Sequence, residues 1–138
     1  MNKAQTLHSF WSSFGIPAYD ENTVPENADE RYITYNVATD SLGNVVNLYA
    51  SIWDVNSTSW AFVETKAEEI AKAIEQRNYE LLVGGILKTF HVSIPIDDPI
   101  GAVFITKGTP FAQRMSDPSS DRVRRIYLNI QAEYLTAY

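Results

Sequence analysis

The sequence predicts an α+β fold in which one main amphipathic helix and a short N-terminal helix pack on a mostly antiparallel β-sheet. Residues 58–76 carry an apolar stripe with helical spacing, and the segments around them alternate between apolar and polar residues as strands do. A shorter stretch of apolar residues with helical spacing lies N-terminal to both patterns. Because a lone amphipathic helix is marginal in water, we predict that residues 58–76 lie across one face of the sheet.

The central helix is predicted from apolar residues that recur at steps of three or four, with charged residues filling the other side. The stripe consists of Trp60, Val63, Ala67, Ile70 and Ile74. The polar residues 56–59 supply side-chain oxygens for the free amides of the first turn. The sequence therefore predicts that this stripe is buried.

The N-terminal helix is predicted from Leu7, Phe10, Trp11 and Phe14, which share one helical face, and from Gly15, which is typical of a helix C-cap. Residues 18–30 are acidic and polar. We predict that these residues form an extended connection that touches the sheet near Tyr19.

Two alternating segments, residues 32–39 and 45–53, predict a β-hairpin with a loop at residues 40–44. After the central helix the pattern predicts a strand over residues 86–92 and a turn at residues 95–99. A short strand is predicted over residues 102–106, where Gly108 and Pro110 end it.

A polar loop is then predicted to run to Asp121, followed by a long last strand over residues 124–135. Alternation in this strand predicts one buried side, made of Ile126, Leu128, Ile130, Ala132 and Tyr134. The other side carries Tyr127, Asn129, Gln131 and Glu133, which we interpret as a polar contact surface.

Length and composition predict one soluble domain spanning residues 1–138. The net charge of −6 disfavours tight binding of nucleic acid, because affinity for phosphates depends on lysine and arginine. The chain contains no cysteine, and we find neither a signal peptide nor a membrane-spanning segment.

No motif predicts catalysis, a cofactor or a metal site. The two histidines, His8 and His91, are far apart in the sequence, and no serine lies in a nucleophile elbow. Residues 54–65 begin like a calcium loop but lack its glycine and its final glutamate. Asp97 and Asp98 adjoin prolines and are more typical of a turn.

Four arginines fall close together in an otherwise acidic chain: Arg114, Arg122, Arg124 and Arg125. Charges at a strand edge discourage aggregation, which is one interpretation. The other is a contact with an acidic partner, because arginine forms bidentate pairs with carboxylates. The sequence leaves both open.

Several segments resemble the tail terminator (tail-completion) proteins of long-tailed phages and prophages, and the similarity extends from about Ile16 onward. They are SIWD at 51–54, STS at 57–59, VFI at 103–105, GTPFAQR at 108–114 and RRIYLNI at 124–130. Residues 81–94 match the family pattern least.

The resemblance implies a small α/β fold whose copies form a ring, generally a hexamer, that caps the finished tail tube and meets the head connector. The implied partners are other copies of the chain, the tail tube protein and the head completion or connector protein. DNA is expected to pass through without specific binding, and no membrane is involved. The implied location is the neck end of the virion tail, reached from the host cytoplasm during assembly.

A ring of identical subunits requires complementary patches on each copy. The predicted interface residues are Arg114, Arg122, Arg124 and Arg125 on one side, and Glu26, Asp29 and Glu30 on the other.

Three alternatives stay open at this point. The first is a head–tail adaptor or a minor capsid protein. The second is a small-molecule-binding domain or enzyme, and the third is a host interaction module. Convergence of Asp54, His91 and Asp97 in one pocket would favour the second, and a discrete dimer without a ring would favour the third.

Overall fold

The computed structural model describes residues 2–38, 45–75, 79–83, 86–90, 92–97, 100–117 and 120–136. The helices are α1 (Lys3–Ser12) and α2 (Ala61–Glu75). The strands are β1 (Ala18–Asp20), β2 (Arg31–Tyr35), β3 (Val45–Val55), β4 (Tyr79–Val83), β5 (Ile86–Phe90), β6 (Val92–Asp97), β7 (Ile100–Met115) and β8 (Val123–Thr136). The predicted α+β class is confirmed.

Six strands form one sheet in the order β1-β2-β3-β8-β7-β6, and β4 pairs with β5 in a separate hairpin. Only β1 and β2 run parallel among the described pairs. The predicted pairing of β2 with β3 is confirmed, although β2 ends at Tyr35 and the predicted loop at 40–44 lies outside the described residues. The predicted extended connection touches the sheet as β1.

One face of the sheet, here called the core face, is apolar and is covered by α2. Leu48 faces Ile130 across the β3–β8 ladder, and Ile52 faces Ile126. The buried apolar residues of this face are Ala18, Ile33, Tyr35, Leu48, Ala50, Ile52, Ile96, Val103, Ile105, Ile126, Leu128, Ile130, Ala132 and Tyr134. The predicted inward side of the last strand is therefore confirmed.

Helix α2 buries Val63, Ala67, Ile70 and Ile74, as its spacing predicts, and contacts β3, β7 and β8. Trp60 is half-buried and precedes the helix, which begins three residues later than predicted, at Ala61. The shorter α1 contacts both edge strands, β1 and β6. The sheet is therefore curled, and α1 spans its two edges.

The middle of the chain differs from the prediction. The predicted strand at 86–92 is two strands, β5 and the start of β6, and β4 was not predicted at all. Strand β6 continues through Pro95 to Asp97, which pairs with Ile100, so the predicted turn is shorter than expected. Pro95 fits because β6 is an edge strand, where a missing amide hydrogen costs no ladder bond on the open side. His91 lies outside the described residues.

The predicted end of a strand at Gly108 and Pro110 is wrong, and the polar loop predicted after it begins only beyond Met115. Strand β7 continues to Met115, and the ladder with β8 resumes at Ala112 after an irregularity that begins at Lys107. A Cβ at Gly108 would lie 2.9 Å from the Cβ of Asn129, so glycine permits a close approach of the strands. Asn129 also donates a hydrogen bond from Nδ2 to the carbonyl of Pro110 at 3.0 Å. A bulge therefore accommodates two residues that normally end a strand.

No helix among the described residues is long and apolar enough to cross a membrane.

Tyr134 places a phenol in the core and gives the fold a dependence on alkaline pH. Its hydroxyl donates to the carbonyl oxygen of Ala38 at 3.1 Å, and burial raises the pKa of Tyr134 to about 12. The folded state thus disfavours the phenolate. Its stabilising contribution is complete below the ordinary pKa of 10.0 and is lost as pH rises from there through the folded value.

We expect the free energy of unfolding to fall more steeply above pH ~10 in the wild type than in Tyr134→Phe. Between the unfolded and folded pKa values, the wild type should lose up to about 2–3 kcal/mol more than the variant. Urea unfolding at a series of alkaline pH values measures both slopes. Parallel slopes would contradict the assignment of the raised pKa to this tyrosine.

Candidate functional site

The sheet face opposite the core face carries a row of aromatic side chains that crosses four adjacent strands. Because side chains alternate between the two faces of a strand, residues between buried core positions point to this second face. The aromatic members are Tyr19 on β1, Tyr32 on β2, Tyr49 and Trp53 on β3, and Tyr127 on β8. Together with Arg125 of β8, which packs on two of these rings, they are here called the aromatic row. All six side chains are half-buried. The row is therefore partly exposed to a partner.

The rings contact one another in sequence across the strands. The Tyr19 and Tyr32 centroids are 5.9 Å apart, and Tyr32 stacks on Trp53 at 6.1 Å. Tyr49 stacks on Tyr127 at 5.5 Å. These neighbours hold each ring in one orientation, so the surface is largely preorganised.

Arg125 joins the two parts of the row. Its guanidinium carbon lies 4.6 Å from the Trp53 ring centroid and 5.9 Å from that of Tyr127. Its Nε donates to Oγ of Ser51 at 2.9 Å. Arginine and aromatic side chains arranged in this way are typical of residues that dominate binding energy at protein interfaces.

Polar neighbours fix the rest of the row. Trp53 donates from Nε1 to Oγ1 of Thr34 at 2.9 Å, and the Tyr49 hydroxyl donates to a carboxylate oxygen of Glu21 at 2.9 Å. The pKa of Tyr49 is raised, chiefly by the hydrogen bond to Glu21 and to a smaller extent by burial. Burial raises the pKa of Tyr32 as well. Both phenols are therefore neutral at physiological pH and present hydroxyl groups, not charges.

A pocket of about 250 Å³ lies at the Arg125 end of the row. It is lined by Trp53, Met115, Ser116, Asp117 and Arg125. Small-molecule sites usually measure ~300–1,000 Å³, so this pocket is better suited to one or two side chains of a protein partner.

Two of the predicted interface arginines pack against Trp60, on the core side of the sheet. The guanidinium carbons of Arg114 and Arg124 lie 4.7 and 5.3 Å from the Trp60 ring centroid. Arg114 also forms an ion pair with Glu64 of α2, and Arg124 donates from Nη2 to the carbonyl of Thr58 at 3.1 Å. These contacts connect the start of α2 to β7 and β8.

Arg122 also has an intramolecular partner, since its Nε donates to Oδ1 of Asn56 at 2.7 Å. Its carbonyl accepts from the amide of Ser57 at 2.6 Å. The four arginines therefore do not form one surface. Reversing the charge of Arg124 is expected to disturb the fold, because its side chain packs on Trp60 and donates to the carbonyl of Thr58. Of the four arginines, Arg125 alone lies on the second face.

The predicted acidic residues Glu26, Asp29 and Glu30 lie on the connection between β1 and β2 and are exposed. The backbone carbonyl of Glu30 accepts from the amide of Val55 at 2.8 Å, which fixes the end of the connection beside β3. Their carboxylates form no ion pair or hydrogen bond with the described residues. They are therefore available to a partner's cations.

The predicted polar side of β8 is only in part accessible. Tyr127, Asn129 and Gln131 are half-buried, but Glu133 is 0% exposed. Its neighbours across the two ladders are Val45 and Phe104. Glu133 is therefore not available to a partner in this conformation.

His8 takes part in the one serine–histidine contact among the described residues. Its Nε2 is 3.3 Å from Oγ of Ser12, and its Nδ1 is 3.0 Å from the hydroxyl of Tyr35. Ser12 and His8 are both exposed on α1. A neutral phenol does not stabilise an imidazolium as a buried carboxylate does, so this arrangement orients the ring without strongly activating the serine.

The acidic constellation that would favour a small-molecule site is not formed by its described members. Asp54 is buried at the end of β3 and pairs with Arg31 at 3.3 Å, whereas Asp97 is exposed at the opposite end of the sheet on β6. No three His, Cys, Asp or Glu side chains in the described ranges are grouped to hold a metal ion.

Comparison of the chain with known protein families, with curated proteins and with solved structures finds no match.

Proposed function

We propose that this protein is a tail terminator of a long-tailed phage or prophage. In this proposal its copies form a ring, generally a hexamer, that caps the completed tail tube and joins it to the head connector. The protein then acts as an assembly component in the neck of the virion and carries out no chemical reaction.

The observation that carries the proposal is the convergence of the segments that resemble this family. Residues 51–54 of β3 pair with residues 124–127 of β8, and residues 112–114 of β7 pair with residues 126–128 on the other side. The 57–59 segment contacts the same region through the amide of Ser57 and the carbonyl of Thr58. Four of the five segments, far apart in the sequence, therefore build one end of the sheet, as expected if a shared structural role determines them together; residues 103–105 pair with residues 132–134 towards the other end.

The surface chemistry of that end supports a binding role. It carries Trp53, Arg125 and Tyr127 on the second face, and aromatic and arginine side chains are enriched in the centres of protein interfaces. The adjacent pocket, at about 250 Å³, is below the usual ~300–1,000 Å³ of small-molecule sites. These features favour a protein partner over the small-molecule alternative.

Purified protein mixed with purified tail tubes should give rings that cap one end of each tube and stop further tube growth. Negative-stain imaging shows the caps, and light scattering at several protein concentrations shows whether rings form without tubes. A control tube preparation blocked at its terminal end should recruit no protein. Binding to isolated connectors but not to tubes would favour the head–tail adaptor, and indifference to both would overturn the proposal.

DNA should not bind appreciably, because the net charge is −6 and DNA affinity depends on several phosphate contacts. A filter-binding titration with duplex DNA at moderate salt tests this part of the proposal. Tight DNA binding by a monomer that ignores tail tubes would contradict the terminator function.

A further inference from the structure

We infer that the aromatic row is the surface on which the acidic connection between β1 and β2 of a neighbouring copy docks. This inference rests on the proposed ring and identifies the surfaces that build it. The contact centres on Arg125, which receives carboxylates from Glu26, Asp29 and Glu30 of the next copy.

The first step of the argument is the charge of Arg125. Its guanidinium is half-buried between the Trp53 and Tyr127 rings, and its one hydrogen bond to a described residue goes to the hydroxyl of Ser51. Asp117 lines the same pocket but makes no ion pair with it. A cation held in a fixed orientation without a paired carboxylate is well prepared to bind one.

The second step is the matching set of anions. Glu26, Asp29 and Glu30 are exposed, and no described cation pairs with them. Arg114 pairs with Glu64, and Arg31 pairs with Asp54. Arg122 and Arg124 instead donate hydrogen bonds to Asn56 and to the carbonyl of Thr58, away from the aromatic row. Within the described chain, Arg125 and this acidic connection are thus complementary charges that each lack an ionic partner.

The third step is their separation on one subunit. The acidic connection leaves the β1 edge of the sheet and ends at Glu30 beside Val55 of β3, whereas Arg125 lies on β8, three strands from β1. No ion pair joins the two patches within one described subunit. Two complementary patches at different places on the same subunit give a head-to-tail contact, and such a contact closes into a ring when the rotation permits.

Other occupants fit the row less well. Single-stranded nucleic acid would stack on the rings, but it needs a positively charged groove, and Arg125 is the one cation in the row, with Glu21 bonded to Tyr49. The pocket beside Arg125 measures about 250 Å³, below the usual ~300–1,000 Å³ of small-molecule sites. A protein segment that supplies carboxylates meets both constraints.

Charge reversal on each side tests the contact. Arg125→Glu, and separately the triple variant Glu26→Lys, Asp29→Lys, Glu30→Lys, should each weaken self-association at least about tenfold, because like charges then face each other. Carrying all four substitutions in one chain should restore association to within about threefold of wild type. An equimolar mixture of the two single-side variants should also associate, since each interface in an alternating ring is then complementary.

Sedimentation velocity measures association in solution, and negative-stain imaging measures rings on tail tubes. Arg122→Glu is the matched control, because it makes the same charge change three residues away outside the row and should leave association within about threefold of wild type. Circular dichroism verifies that each variant is folded. If the Arg125→Glu variant and the triple variant both form rings as the wild type does, this inference is wrong but the proposed function stands. If the wild-type protein itself neither self-associates nor caps tubes, both the inference and the proposed function are wrong.

Discussion

Ile70→Asp is expected to leave the protein largely unfolded at room temperature. Ile70 is 0% exposed at the centre of α2, where the helix crosses β3, β7 and β8. An aspartate there is buried without a partner, which costs several kcal/mol, in addition to the lost packing of the isoleucine. Domains of this kind are stable by only about 5–15 kcal/mol, so the remaining stability is small.

Thermal and urea unfolding followed by circular dichroism measure the effect. Thr65→Asp is the matched control, because it introduces the same charge at an exposed position of the same helix and should change the free energy of unfolding by less than about 1 kcal/mol. An Ile70→Asp protein with the wild-type melting temperature would show that α2 does not bury this stripe.

The helices and the two long central strands could be predicted because their patterns are local. In α2 the spacing of Val63, Ala67, Ile70 and Ile74 matches the helical period, and each is buried. In β8 every second residue from Ile126 to Tyr134 is buried. A one-sided environment imposes such a pattern directly on the sequence.

Other parts of the sheet could not be predicted in full, because their determinants are distant in sequence. Strand β1 has three residues and exists only through its parallel pairing with β2. Gly108 and Pro110 look like a strand end, yet the close approach to Asn129 makes the glycine part of a longer strand. The partner that decides each case is many residues away.

The candidate site was predicted in part. The sequence singled out the four arginines, but it could not separate Arg125 from the other three, whose partners lie on α2 or on the connection from β3 to α2. That separation depends on which face each strand position occupies. Of the aromatic residues of the row, only Tyr127 was placed on a predicted contact surface, and the others were missed. The available signal was their alternation with buried residues: Tyr49 and Trp53 occupy outward positions of β3 that a solvated face would fill with polar residues.

Trp11→Ala is expected to destabilise the protein by about 3–5 kcal/mol, the usual range for removing a buried tryptophan. Trp11 is 1% exposed and packs edge-on against Phe10 at 4.9 Å, with Phe14 at 6.5 Å. These rings anchor α1 on β1 and β6, the two edges of the curled sheet. Loss of the indole leaves a cavity at the position where α1 spans those edges.

The midpoint of urea unfolding should therefore fall strongly in Trp11→Ala, while Ser9→Ala, an exposed position on the same helix, should stay within about 0.5 kcal/mol of wild type. Helix α1 contacts β1, so loss of the Trp11 side chain should loosen that strand. Amide exchange in Ala18–Asp20 should therefore become faster in Trp11→Ala than in Ser9→Ala. Unchanged exchange there, together with an unchanged midpoint, would mean that α1 does not hold the β1 edge against the rest of the sheet.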